Sequence, residues 1–187
     1  MASEVFVEKK KLEKTPLEIR HLGDRALRQN AKRISSVDDD LRQLVREMLK
    51  TMYSADGIGL AAPQVGVSKQ LITIDIEPGE ASTPPIVLIN PTITRQSKDQ
   101  CLYQEGCLSV PGVYLDVNRP AAVEISYRDE YGKPRTLQAK ELLCRAILHE
   151  MDHLNGVLFV DRVDNKLALT DELVKHKFSP KAVRPIS

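Results

Sequence analysis

From Leu142 to Leu148 the chain contains neither glycine nor proline, it continues into His149-Glu150-Met151-Asp152-His153, and Gly156 offers a stop just beyond. The spacing predicts a helix, and that helix limits what the rest of the chain can build. A rise of about 1.5 Å per residue sets His149 and His153 roughly 6 Å apart along one face, close enough to grip a single ion. Leu142 and Ala146 fall on the same face, so the imidazoles stand on an apolar stripe, where ring nitrogens need partners, a metal among them. Glu150 projects about 100° away, outside the ligand stripe but within reach of a water held by such an ion. A helix of this kind belongs at the centre of a fold, and its pattern is that of a metal-assisted hydrolase.

Two imidazoles leave the ligand set unfinished. A third histidine six residues beyond the second is excluded, because position 159 is Phe159. Glu172 satisfies the form with a downstream glutamate, on a helix expected over Thr170 to Lys177, and would make the chain a metalloendopeptidase. A cysteine from another segment is the other solution. Cys144 lies five residues before His149 and is rotated away from the stripe, which suits packing; Cys101 sits in a strand-like stretch. Cys107 stands in Glu105-Gly106-Cys107-Leu108-Ser109, just before Val110-Pro111-Gly112. A non-catalytic structural ion would call for four protein ligands, one more than the chain offers. The residues alone leave Glu172 and a cysteine both open.

Upstream, Gly57-Ile58-Gly59-Leu60-Ala61-Ala62-Pro63-Gln64 forms a small-residue segment with a single amide. These three segments, in this order, resemble peptide deformylase, whose motifs read GxGLAAPQ, EGCLS and HExxDHL. The resemblance covers Pro16 to Val163 and is nearest to type 1B, with Gly156 to Val163 similar to cyanobacterial and plastid members. It implies Cys107 as thiolate with His149 and His153 around one divalent ion, Fe2+ expected, with Zn2+, Ni2+ or Co2+ also suited to those donors. It implies Glu150 as general base and then acid, and the Gln64 amide with the Leu108 backbone N–H as oxyanion donors. The substrate class is the N-formylmethionyl nascent peptide, the product formate. Gly57 and Gly59, lacking Cβ, would let a peptide backbone approach, and the substrate pocket would involve Ile58, Gly59, Tyr103, Glu105, Gly106, Leu142, Arg145 and Ala146. Two positions depart from the family pattern: Leu148 replaces a usual glutamine and Glu141 a usual glycine. Asp152 is read as solvated or as supporting the site, and Arg119 as a surface charge or a partner of Glu105.

Composition enters mainly as exclusion. With 187 residues and no repeat or linker, the chain reads as one catalytic domain over 16–165, between a flexible arm at 1–15 and a C-terminal helix with a basic tail at 166–187. A net charge of +1 argues against bulk nucleic-acid binding and specific DNA recognition. No segment approaches the roughly 18 apolar residues of a membrane span. Three cysteines, one assigned to a metal, suggest a reducing compartment, the cytoplasm or a plastid stroma. A monomer is expected. The tail residues Lys175, His176, Lys177, Lys181 and Arg184 are expected to be solvated, with a transient ribosome contact as the alternative.

Leu41, Leu44, Val45, Met48, Leu49 and Met52 recur at helical spacing, which predicts a helix over Asp38 to Ser54, capped by Ser36 or Asp38. Strands are expected over Gln70 to Glu77, Ile86 to Asn90, Pro91 to Ser97, Cys101 to Gln104, Ala121 to Arg128 and Lys133 to Ala139. A bend falls at Asn90-Pro91 and a loop at Glu77 to Pro85, while Pro63 and Pro111 argue against strands around them. The fold class is α+β, with antiparallel or mixed sheets packed around a central metal-binding helix.

Overall fold

The computed structural model describes residues 5–186. The first long helix, α1, spans Asp39–Ser54. Asp38 is its cap, accepting the Leu41 N–H at 2.9 Å, and Asp39 and Asp40 sit at its positive end. Leu41, Val45, Met48, Leu49 and Met52 are buried in one cluster. The helix closes in a Schellman motif, with Asp56 N–H on the Tyr53 carbonyl and Gly57 N–H on that of Met52. The left-handed residue there is Asp56, at φ 57°, so Gly57 follows the cap rather than forming it.

Among the described residues, seven strands make two sheets in which every ladder is antiparallel. Strands β1 (Gly59–Ala61), β2 (Leu71–Ile74), β3 (Ile86–Gln96), β6 (Ala122–Arg128) and β7 (Pro134–Lys140) form a five-stranded sheet in the order β1-β2-β3-β6-β7; β4 (Gln100–Cys107) and β5 (Val110–Pro120) form a separate hairpin. The two strands expected either side of Asn90-Pro91 are one. Asn90 takes φ 51° and the pairing skips between Ile89 and Thr92, so the bend is a bulge at which proline's missing N–H costs no ladder bond.

Strands β1 and β5 are absent from the sequence reading, and β5 is the longer of them. Val113, Leu115 and Val117 alternate inward against exposed Tyr114, Asp116 and Asn118, a period-two signal masked by Pro111 and Gly112. The register shift between Glu105 and Cys107 and the φ of 82° at Gly112 place both residues in an irregular start, where neither breaks the ladder.

Helix α2, Glu141–Leu154, carries the metal motif. Cys144, Ile147, Leu148 and Leu154 face the five-stranded sheet, buried with Ile72, Ile74, Leu88 and Ile125, so Leu148 is a core contact. The helix ends as α1 does, with Gly156 at φ 69° in the left-handed position and Val157 N–H on the Asp152 carbonyl. At its start Glu141 takes φ 53°, a conformation suited to the glycine usual at this position. The left-handed region costs a non-glycine residue about 1–2 kcal/mol. Glycine's own entropy and the loss of an acidic group at the helix N-terminus offset much of that. Glu141→Gly is therefore expected to stabilise by roughly 0.5 kcal/mol, read as a higher urea midpoint at unchanged slope; a lower midpoint would refute the strain argument.

Both ends of the described segment are docked. Residues 1–4 and 187 lie outside the described residues, but the remainder of the arm expected to be flexible is held. Val5 is fully buried, and the Lys9 ammonium donates to the carbonyls of Glu77, Glu80 and Thr83 and pairs with Asp75 at 2.7 Å, tying down the 77–85 loop. The third helix, α3, spans Lys166–Lys175, and its buried face joins β5 and the Phe159–Arg162 turn in a third cluster. The tail expected to be solvated returns to Asp161, whose carboxylate accepts the Arg184 N–H at 2.8 Å and whose carbonyl accepts that of Ile186.

Candidate metal centre

Three elements converge. The β4–β5 turn presents Cys107, α2 presents His149, Glu150 and His153, and the 3-10 turn Ala62–Val65 after β1 presents Gln64. One donor atom from each of Cys107, His149 and His153 lies within 4.8 Å of the others, and among the described residues these three form the group able to hold a metal ion. The Cys107 sulfur is 3.4 Å from His153 Nε2. Glu172 is elsewhere, on α3, paired with Lys175 and His176 at 3.5 Å each; the ligand set with a downstream glutamate is thereby overturned.

A buried ionic network stands behind the donors. Glu105 accepts from Arg119 through both oxygens, from Arg145 Nη1 at 2.7 Å and from His149 Nδ1 at 2.9 Å. That last contact leaves Nε2 of His149 for an ion and sets the ring's orientation. Arg119 also donates to Asp152 at 2.8 Å, and Asp152 accepts from Arg162 at 2.6 and 2.7 Å. Glu105, Arg119 and Asp152 are all buried. Burial pushes the Glu105 carboxyl up, but the hydrogen bonds from His149 and Arg119 and the charge of Arg119 outweigh it and hold the group well below the usual carboxylate range. Glu105, expected in the methionine pocket, lines the cleft beside the donors and spends its carboxylate on the ligand and two arginines.

The two imidazoles are driven apart electrostatically. Burial lowers both, but the charge and hydrogen bond of the Cys107 sulfur raise His149 well above its ordinary value, whereas His153, facing the charges of His149 and Arg119, falls well below. Glu150 is pushed up to about 7, chiefly by burial. Its Oε2 and the Nδ1 of His153 are buried without a hydrogen-bond partner. One sulfur, two imidazoles and an orphaned carboxylate oxygen fit an ion with an exchangeable water far better than a closed polar core.

Gly59 has a second reason to be glycine. A Cβ there would stand 2.5 Å from Glu150 Oε1, and one on Gly57 2.6 Å from Leu108 Cδ1, so the missing side chains make room for the protein's own groups. The Gln64 side-chain oxygen Oε1 accepts the Ala61 N–H at 2.8 Å, which aims Nε2 at Ser109 Oγ (3.1 Å) and the Cys107 sulfur (3.5 Å).

The donors open on a cleft of about 620 Å³, which Ile58, Gly59, Tyr103, Glu105, Gly106, Leu108, Leu142, Arg145 and Ala146 all line. Tyr103 and Leu142 are exposed at it, and the Arg145 guanidinium lies 5.6 Å from the Tyr103 ring centroid. Arg145 is not a free cation, since it also donates to the carbonyls of Val117 and Cys101. Sequence reasoning missed Arg162 and Ser109. Nothing local marks Arg162; Ser109, inside the EGCLS segment, could have been found by asking what a buried Gln64 amide must donate to.

The sequence profile described as polypeptide deformylase matches residues 16–168. The chain is 65% identical to the peptide deformylase of Microchaete diplosiphon and 63% to peptide deformylase 1 of a Nostoc species, each over the full length of both chains. Its fold superposes with a TM-score of 0.95 on a peptide deformylase from Synechococcus elongatus solved in complex with actinonin, at 63% identity over 96% of this chain and 98% of that one. A plant peptide deformylase of type 1B superposes with a TM-score of 0.80 at 41% identity, over 88% of this chain and 89% of that one. With its sulfur and imidazole donors, its buried carboxylate and these matches along most of its length, the chain belongs to the polypeptide deformylase family.

Proposed function

We propose that this cleft hydrolyses the formyl–nitrogen bond of N-formylmethionyl nascent peptides, releasing formate and a free amino terminus. The observation that carries the reading is the convergence of Cys107, His149 and His153 to within 4.8 Å beside a buried carboxylate with an unpartnered oxygen. Those three residues would hold a divalent ion, Fe2+ in the cell, although Zn2+, Ni2+ or Co2+ suits the same donors. When bound, the ion supplies Lewis acidity that polarises the formyl oxygen and makes water nucleophilic near neutral pH.

The chain's own groups do the rest. Glu150 takes the proton given up as water's oxygen joins the formyl carbon, and delivers it to the nitrogen as the carbon–nitrogen bond breaks. A carboxyl pushed up to about 7 can run that transfer in both directions. The Gln64 Nε2–H and the Leu108 backbone N–H donate to the oxyanion. Ile58, Leu142 and Ala146 receive the methionine side chain, with Tyr103 and Arg145 at the rim. The enzyme works as a monomer in a reducing compartment, the cytoplasm, a reading supported by cysteines that are all free among the described residues.

The test is formate release from a formyl-Met peptide under anaerobic conditions, with metal content measured alongside. Cys107→Ser is expected to lose bound metal and at least about a hundredfold in activity, since a neutral hydroxyl replaces a thiolate donor. Full metal and full activity in that variant would reject the ligand set.

A further inference from the structure

The Lys9 ammonium sits in a cage of oxygens. Its N–H donors meet the carbonyls of Glu77 at 3.2 Å, Glu80 at 2.6 Å and Thr83 at 2.6 Å, and the Asp75 carboxylate at 2.7 Å. The Lys9 side chain is 10% exposed and that of Asp75 1%. A carboxylate so buried depends on its partners, and Asp75 has two more, the Tyr53 hydroxyl at 2.7 Å and the Glu77 N–H at 3.0 Å. Burial, then the hydrogen bond to Asp75 and its charge, push the Tyr53 hydroxyl far above its ordinary value, so it remains a donor.

The backbone of Asp75 carries this anchorage to the metal cleft. Strand β2 ends at Ile74, and the next N–H, that of Asp75, donates to the Ile58 carbonyl at 2.8 Å. The ladder pairs Gly59 with Ile74, so the Asp75–Ile58 bond continues it one step toward the start of β1. Backbone groups of successive residues in an extended strand point to opposite sides. With Ile58 turned toward β2, Gly59 presents its N–H and carbonyl on the other side of β1, which is the edge of the sheet, and Gly59 lines the cleft. The segment around Lys9 also grips the turn before this edge, since Leu12 N–H donates to Ser54 Oγ at 3.1 Å and Lys11 pairs with Asp56 at 2.5 Å.

An extended peptide adding to that edge would pair with Gly59. A displaced edge would weaken its main-chain contacts in ground and transition state alike, whereas the formyl group meets residues of α2 and of the β4–β5 turn. Such a loss of uniform binding raises KM and leaves kcat in place. We propose that Lys9 is a positioning residue for the substrate, holding through Asp75 the β1 edge on which the peptide main chain pairs. The inference rests on the proposed deformylation of peptides.

The test uses the metal-loaded enzyme and its Lys9→Ala variant. KM for a formyl-Met-Ala-Ser peptide is expected to rise about tenfold with kcat within about twofold, while kcat/KM for formyl-methioninamide, which has little main chain to pair, falls by less than about threefold. Methylammonium, small enough to refill the vacated cage, should recover most of the loss at an ionic strength where tetramethylammonium does not. The Asp75 amide should exchange with solvent about tenfold faster, measured against the amides of α2. An unchanged KM, an equal loss on both substrates, or rescue that does not distinguish the two cations overturns the proposal. Should Lys9→Ala fail to fold, Tyr53→Phe removes one donor to Asp75 and keeps the ring; KM about threefold higher at unchanged kcat is then expected, and an unchanged KM overturns the proposal. Absence of formate release by the unmodified enzyme would sink the proposed reaction, and exchange at the Asp75 amide would still decide whether Lys9 holds the edge, an unaltered rate overturning it.

Discussion

Glu150→Gln is expected to abolish formate release, by about 10² to 10⁴-fold, while the protein stays folded and keeps its ion. The carboxylate is buried, with one oxygen unpartnered and the other facing Gly59, where even a Cβ would collide. Glutamine has nearly the same shape, so it fits against Gly59, and being neutral it leaves no charge stranded in the core. It cannot accept a proton. The variant thus separates the proton transfer from everything else the site does. Metal content equal to the unmodified enzyme with collapsed turnover is the expected pair of results. Turnover within tenfold would remove Glu150 from the mechanism and leave water activation to some other group.

Much of this site was legible because it is local. Two histidines four residues apart and the glutamate beside the first lie on one helix, so periodicity alone brings them together, and the helix appears with its stop at Gly156 where the glycine predicts it. The α1 stripe was legible for the same reason. What joins distant strands was not. Cys107 as a ligand came from the family motif, since no spacing relates it to His149. The resemblance placed Glu105 in the substrate pocket, and it does line the cleft, but the groups its carboxylate holds, Arg119, Arg145 and His149, come from β5 and α2, and no spacing relates them to it. Arg162 emerges only once the turn after α2 folds back on Asp152. The arm reads as flexible because it mixes Lys and Glu without an apolar core, and the tail as solvated because its charged residues after Glu172 are all basic. Their order comes from a few specific contacts, Lys9 on carbonyls and Asp161 on tail N–H groups, which composition does not register.

Arg119→Met tests whether that network is part of the metal centre or merely lies near it. Arg119 joins two carboxylates from different elements, Glu105 on β4 and Asp152 on α2, and all three are buried. Removing one member of a buried ion pair costs about 3–5 kcal/mol, because the partner's desolvation is no longer compensated. Here Glu105 keeps Arg145 and His149, and Asp152 keeps Arg162, so the lower end, about 3 kcal/mol, is expected. Glu105 then loses the clamp that holds it against His149 Nδ1, and metal affinity should fall by roughly 10 to 100-fold, the usual cost of losing a ligand's supporting hydrogen bonds. Arg162→Met, at a side chain 35% exposed, should cost under about 1 kcal/mol. The effect also has a direction in pH. Glu105 is held below its ordinary 4.5, so its contribution is complete above about pH 4.5 and is lost as the pH falls toward the lowered value. Arg119 is a main cause of that lowering, so the stability difference between the unmodified protein and Arg119→Met should be full at neutral pH and narrow below about pH 4.5. Urea midpoints at several pH values and the rate of metal loss to a chelator read both effects; a variant as stable and as slow to lose metal as the unmodified protein would separate the network from the metal centre.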